Sequence, residues 1–376
     1  MGKAEGIGES GYRKLHSIAL ELSNFFKERE ELIKLTILAL LSRQHIYILG
    51  PPGTAKSAVA RAIASHFNAR YFEWLVTRFT TPEELFGPID LAALEKGEYR
   101  RITANKLPEA EIAFVDEIFK ANSAILNSLL AIINERIYHD NGMVIRVPLN
   151  TLIAASNELP EDERELAALY DRLLIRYTVG YIKDDASFEE MLKGGEEYTP
   201  KTRITMDELK VMQGQVAGID ISRVIPSIVQ LRKSLRESGI VVSDRRFKQS
   251  ISVIKAHAFF SGRSAATIDD LRVLQHIMWD TPEQIRAVRA VIMDAVDPFA
   301  RKVMEYRDII SDYSSRLQGR IDAAEIQEIM AKLKVVENEI KELSRMAVSS
   351  GRDTAELDEI LDEIQSLKMS MLDKMF

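Results

Sequence analysis

Five short stretches hold the residues whose types and spacing could do chemistry. The first is GPPGTAKSA, residues 50 to 58, which follows an apolar run and opens a helical one. The backbone N–H groups of such a turn, the partial positive charge of a helix N-terminus and the full charge of Lys56 all meet at one point, which suits phosphate. Gly50, Pro51, Pro52, Gly53, Thr54, Ala55, Lys56, Ser57 and Ala58 form the candidate cradle, and the Ser57 hydroxyl is a candidate ligand for Mg2+. The motif G-x-x-x-x-G-K-[ST] normally carries glycine where Ala55 stands. Glycine is needed only where φ is positive or a Cβ would strike the ligand. Gly53 is therefore expected to take the left-handed turn, with Ala55 at negative φ as the helix begins. An Ala55 that crowded the nucleotide would mean a degraded site.

The second stretch, EIAFVDEIFK, places Asp116 and Glu117 directly after four apolar residues, at the carboxyl end of a strand. Open α/β sheets bind their ligands there. Asp116 suits the water shell of the metal, and Glu117 suits orienting and polarising an attacking water. The third, TLIAASNELP, ends a strand at Ser156-Asn157, where a neutral amide can position water or touch a terminal phosphate; a helix cap is the plainer alternative. The fourth, ALYDRLLIRY, offers Arg172 and Arg176. An arginine that meets the developing charge in phosphoryl transfer is often supplied by a neighbouring subunit. Arg172 is preferred over Arg176, and a structural ion pair with Asp171 is the other reading. Further on, VVSDRRFKQS starts a helix capped by Ser243 or Asp244, where Arg245 could reach back to a nucleotide, with Arg246 as its competitor and a plain surface arginine as the other reading.

These residues need a scaffold. HIYILG, RYFEWLV, IAFVDE, NTLIAASN and LLIRYTV are short and nearly continuous in apolar residues, the pattern of parallel strands covered on both faces. Helical stretches at Lys56–Phe67 and Ser123–Glu135 alternate with them, and residues 10 to 43 read as two helices. The expected fold is α/β, a P-loop parallel-sheet core over residues 1–185. Residues 81 to 108 interrupt it as an insertion with a turn at Lys96-Gly97. Residues 137 to 148 read as a β-hairpin turning at Asn141-Gly142. Residues 186–280 read as an all-α lid with boundaries at Gly218, Ser243 and Gly262. Residues 281–376 read as a helical region. In it the stripe Ile326, Met330, Leu333, Ile340, Leu343 resumes after SSGRDT as Leu357, Leu361, Ile364, Leu367, Met371. Asp353 with Glu356 suggests a capping box, and the whole an antiparallel helical hairpin, either a solvated arm or a partner-binding one.

Composition narrows the classes. The chain of 376 residues has no cysteine, so disulfides, thiolate metal sites and cysteine nucleophiles are excluded, and a reducing compartment fits. Six scattered histidines without HExxH argue against a histidine metal cage. A net charge of −7 argues against a broad nucleic-acid face. No apolar run approaches the ~20 residues of a membrane span, and the N-terminus lacks the plan of a signal peptide. A soluble cytoplasmic protein is expected.

Together GPPGTAKS, IAFVDE, ASN, the DR segment and the second helical region resemble the AAA+ ATPases. The Ala55-Lys56 pair, the insertion and the hairpin resemble the MoxR branch, in the class with a helix-2 insert and a pre-sensor-1 hairpin. TPEELFGP, LPEAEIAFVDEI, AILNSLLAIINER, AASNELPE, ALYDRLLIRY and VSDRRFK resemble the RavA subfamily, over about residues 10 to 280. The resemblance implies that Ala55 is normal for this branch, that ATP and Mg2+ are the cofactors, and that the chain forms a homo-oligomeric ring, usually hexameric. By position it makes Arg172 the finger and Arg245 the sensor-2 arginine. It also implies chaperone-like remodeling of a protein client, often beside a partner with a von Willebrand factor A domain. RavA-like chains carry a further β-rich domain, whereas this one ends at Phe376. A nucleic-acid motor using Arg100, Arg101, Lys106 and Arg146 of the inserts is the alternative, and a small-molecule P-loop kinase a weaker one.

Overall fold

The computed structural model describes residues 2–140, 142–159, 163–195, 197–317, 323–349 and 354–375. The chain divides into two compact units, residues 1–289 and 290–376.

The first unit opens with α1 (Gly2–Phe25) and α2 (Glu30–Ser42). Leu32, Ile33, Leu35, Leu38 and Leu41 of α2 are all buried, and Arg43 ends the helix in a left-handed cap at φ 55°. Next come β1 (Ile46–Leu49), α3 (Lys56–His66), β2 (Tyr71–Leu75), α4 (Pro82–Phe86), α5 (Leu91–Leu94), β3 (Ile112–Asp116), α6 (Ser123–Glu135), β4 (Ile137–Asp140), β5 (Met143–Arg146), β6 (Thr151–Ser156), α7 (Glu163–Arg172) and β7 (Ile175–Thr178). The five apolar runs are the five strands of one parallel sheet, ordered β2-β3-β6-β1-β7. In register, Leu49 lies opposite Ser156 and Leu75 opposite Asp116. Strand β6 therefore separates β1 from β3, and all three release their functional loops at the same edge. This is where a doubly wound sheet leaves a crevice.

The core beneath that edge combines Tyr47, Val115, Leu152 and Ala154 of the sheet with Ile125, Leu129 and Ile132 of α6. Each large apolar side chain buried there contributes about 1.5–3 kcal/mol. Asn122 caps α6, its Oδ1 accepting from the Ile125 N–H at 3.1 Å, which is worth about 1 kcal/mol.

The expected insertion holds α4 and α5, and its turn is present, with Gly97 at φ 79°. Strands β4 and β5 pair antiparallel as the expected hairpin; Gly142 has φ 82°, and Asn141 lies outside the described residues. Insert and hairpin are joined, because the Arg101 N–H donates to Asp140 Oδ2 at 2.8 Å and Phe86 stacks on Tyr138 with centroids 5.3 Å apart.

Helices α8 (Asp185–Lys193), α9 (Met206–Ala217), α10 (Ile225–Glu237), α11 (Asp244–Phe260) and α12 (Ile285–Val296) follow, with a 3-10 segment at Ile268–His276. Ser243 supplies the α11 cap, accepting from the Arg246 N–H at 3.2 Å. No helix among the described residues is long and apolar enough to cross a membrane.

In the second unit the expected hairpin becomes three helices, α13 (Pro298–Leu317), α14 (Ala323–Ser349) and α15 (Ala355–Met375). Leu333, Ile340, Leu357, Ile364 and Met371 form its core, and Tyr306 and Ile310 of α13 join them. A lone pair of helices leaves apolar surface on both flanks of its seam, and α13 covers part of it. Lys368 of α15 pairs with Glu337 of α14 at 2.5 Å, so the two run antiparallel. The expected capping residue Asp353 lies outside the described residues.

Candidate active site

The loop between β1 and α3 starts with a close approach. A Cβ on Gly50 would lie 2.2 Å from the Val179 carbonyl oxygen, so only glycine lets the loop leave β1 beside the end of β7. Gly53 turns at φ 78° as expected, but Ala55 does not follow the expectation: it has φ 65° and ψ 21°, also left-handed. Two such residues close together curl the backbone into a concave nest, and N–H groups facing inward need that curvature. Alanine is the smallest residue with a Cβ and bears the strain, of order 1–2 kcal/mol. Ala55 has no side-chain oxygen, and among the described residues no side chain caps the start of α3. The first intrahelical bond is Val59 N–H to Ala55 O at 2.9 Å. The N–H groups of Lys56, Ser57 and Ala58 therefore stay open to a ligand.

Lys56 donates to Gly50 O at 2.6 Å, Pro51 O at 3.0 Å and Asn157 Oδ1 at 2.9 Å. One contact thus joins the phosphate loop to the amide at the end of β6. Burial pulls the Lys56 ammonium below its ordinary value, against the attraction of Asp116 and Glu117. Burial also raises the Asp116 carboxyl, with Lys56 opposing. Glu117 is buried at φ 52°, a left-handed conformation costly for glutamate, with its Oε2 3.2 Å from Lys120 Nζ. Tyr47 fixes the next turn, its hydroxyl 2.6 Å from Ser156 Oγ, which in turn donates to Glu158 O at 2.7 Å.

Gly53, Ser57, Asp116, Glu117 and Asn157 line one cavity of about 930 Å³. A second, of about 380 Å³, lies against Gly53, Thr54 and Ala55 and is walled by Phe25, Phe26, Tyr181 and Phe188. Arg29 also lines this second cavity, a residue that nothing in the sequence singles out. Its buried guanidinium donates to Thr54 O at 3.0 Å, Gly180 O at 2.8 Å and Glu28 O at 2.8 Å, so it clamps the phosphate loop from behind. In EREE it reads as part of a solvated charge run.

The arginines separate sharply. Arg176 is completely buried; it stacks 3.8 Å from the centroid of Tyr170 and donates to Leu173 O, Tyr170 O, Trp279 O and Asp280 Oδ1. It cannot present its guanidinium to a nucleotide, which removes it as a finger candidate. Arg246 is also buried, paired with Asp171 at 3.2 Å and Asp280 at 2.8 Å. Burial pushes Asp280 up, but Arg246 and Arg176 outweigh it and hold the carboxyl below its usual range. Arg172 is half-buried at the end of α7, donating to Asn134 Oδ1 at 2.6 Å and Ala168 O at 2.7 Å. Arg245 is exposed and, among the described residues, has no polar partner. Neither Arg172 nor Arg245 lines the larger cavity of its own chain.

Residues 13–217 match the model of a family described as the MoxR domain in the MoxR-vWA-beta-propeller ternary systems. The chain belongs to the MoxR family of AAA+ ATPases. Residues 223–292 match an AAA lid domain, so the architecture is an α/β AAA+ core with an all-α lid. Two uncharacterized proteins of Methanocaldococcus jannaschii are similar along nearly their whole length. One is 43% identical over 93% of this chain and 94% of its own, the other 40% identical over 94% and 97%. The chaperone MoxR1 of Mycobacterium tuberculosis is 23% identical over 52% of this chain and 51% of its own. The crystal structure of a putative ATPase from Cytophaga hutchinsonii shares the fold, with a TM-score of 0.65 at 17% identity, covering 79% of this chain and 98% of that one.

Proposed function

We propose that this MoxR-family chain is a ring-forming, Mg2+-dependent ATPase that couples ATP hydrolysis to remodeling of a protein client. The observation that carries this reading is the composition of the nucleotide cavity. Phosphate loop, Asp116, Glu117 and Asn157 converge there, yet neither Arg172 nor Arg245 reaches it. Arg172 ends α7 at the surface, and we assign it as the finger for a neighbouring subunit's nucleotide, in a ring we take to be hexameric. Arg245 is the sensor-2 candidate, since Arg246 is committed to Asp171 and Asp280. The base occupies the aromatic cavity behind Gly53–Ala55, and the phosphates the larger one. Ser57 and Asp116 offer only oxygen, the donor type Mg2+ takes. When bound, that ion would neutralise charge between the last two phosphates. Glu117 orients the attacking water and Asn157 holds it in line.

The client surface is the joined insert and hairpin. Met143 and Val144 at the hairpin are 54% and 59% exposed, and Leu91 of the insert 70%. Apolar tips suit a polypeptide. The cations a nucleic-acid motor would use are mostly engaged within the insert. Arg100 pairs with Asp90 at 2.9 Å, Arg101 donates to Gly87 O at 2.7 Å, and Lys106 to Glu84 O at 3.0 Å. A von Willebrand factor A-domain partner follows from the systems that name the matched family. Within MoxR, TPEELFGP and VSDRRFK keep the RavA branch as our subfamily proposal.

Glu117→Gln tests the reading, since it should hold ATP unhydrolysed and retain bound partners. Folded-domain proteins copurifying in an ATP-dependent way support remodeling. Nuclease-sensitive material whose capture weakens steeply with salt would instead support the nucleic-acid motor.

A further inference from the structure

Three basic side chains line the nucleotide cavity: Lys56, Lys120 and Arg78. Lys56 is engaged by Gly50 O, Pro51 O and Asn157, and Lys120 by Glu117. Arg78 is different. It is exposed, and among the described residues no hydrogen bond or ion pair holds its guanidinium. This is so although Asp116, Glu117 and Glu158 line the same cavity.

The backbone beneath Arg78 is held firmly. The Thr77 N–H donates to Thr80 Oγ1 at 2.8 Å and the Phe79 N–H to Thr77 Oγ1 at 3.2 Å. Thr80 O accepts from Asn122 Nδ2 at 3.2 Å, the side chain that also caps α6. A guanidinium left unpaired on an ordered turn is suited to fork onto phosphate oxygens at small entropic cost. Its place along the nucleotide follows from the two cavities. The aromatic one shares Gly53, Thr54 and Ala55 with the larger and does not include Arg78. Arg78 shares its wall with Asp116 and Glu117, beyond the end of β2, where the last phosphate would lie.

We propose that Arg78 is a ligand of the terminal phosphate, supplied by the same chain, and that it lets the site tell ATP from ADP. This rests on the nucleotide-site reading above. The α4 helix of the insert starts at Pro82, so a phosphate that captures Arg78 also acts on the root of the client-facing insert.

The test is equilibrium binding to the full chain with Mg2+, using a fluorescent ADP displaced by ADP or by a slowly hydrolysed ATP analogue. Arg78→Ala should weaken the ATP analogue by about tenfold to a hundredfold and ADP by less than about twofold. Arg78→Lys should recover part of the loss, because it keeps the charge but not the fork. Equal weakening of both nucleotides, or of neither, would overturn the proposal. Lys56→Ala separates the underlying reading, as it should weaken both nucleotides together. A wild-type chain that bound neither would sink the site itself rather than Arg78. Among the described residues Arg78 has no polar partner to lose, so its variants should melt with the wild type.

Discussion

Ala55→Gly should stabilise this protein, although glycine at the start of a helix usually looks like a weakening. At φ 65° and ψ 21° Ala55 holds a left-handed conformation, which costs an L-residue about 1–2 kcal/mol. Glycine adopts it freely but loses more freedom on folding, about 0.4–1 kcal/mol. The balance favours glycine by about 1 kcal/mol. Ala58 is the control, since it sits three residues later inside α3 with ordinary helical backbone, and Ala58→Gly should cost about 1 kcal/mol. Thermal unfolding of the full chain, read on the transition that Mg-ATP shifts, should move up by about 2 °C for Ala55→Gly and down by a similar amount for Ala58→Gly. If both variants fall together, the left-handed assignment at Ala55 is wrong and the loop is not the nest described.

Arg172→Ala should cut turnover by about a thousandfold or more while nucleotide affinity stays within about twofold; collapse of affinity with turnover per bound ATP intact would refute the assignment. Arg29→Ala frees the Thr54 and Gly180 carbonyls, so ADP and ATP should both bind about tenfold more weakly, in contrast to the selective loss at Arg78. Arg176→Met leaves Asp280 and the carbonyls of Leu173, Tyr170 and Trp279 short of a donor. Urea unfolding should show a loss of about 3 kcal/mol, and a loss under about 1 kcal/mol would deny Arg176 its structural role. Asp280 adds a pH dependence. Its carboxyl is held below the usual range in the fold, so its stabilisation is complete above the unfolded value of about 4 and fades as pH falls through the lowered one. The stability gap between wild type and Asp280→Asn should be flat near neutrality and narrow only below about pH 4; a gap that narrowed with rising pH would contradict it.

The five strands were legible because each apolar run is short and nearly continuous. A strand with both faces covered needs that composition whatever surrounds it. The phosphate loop, Asp116-Glu117 and Asn157 were legible for the same local reason, since each lies where a strand releases the chain. The arginines were not. Arg172 and Arg176 are four residues apart and alike in charge, and only the packing of Trp279 and Asp280 against β7 buries one of them. Arg78 carried a signal that went unused: it stands just past the carboxyl end of β2, where ligands gather.

The sequence by itself determined the sheet, the glycine-lysine loop and the order of the polar residues at the strand ends, because these depend on side-chain type and on contacts a few residues long. Only the tertiary structure decided the left-handed turn at Ala55, the clamp made by Arg29, and which arginines are buried braces and which remain available. Those outcomes depend on the position of backbone carbonyls and carboxylates contributed by segments more than a hundred residues away, and a guanidinium carries no mark of which acceptor it will meet until the chain has closed around it.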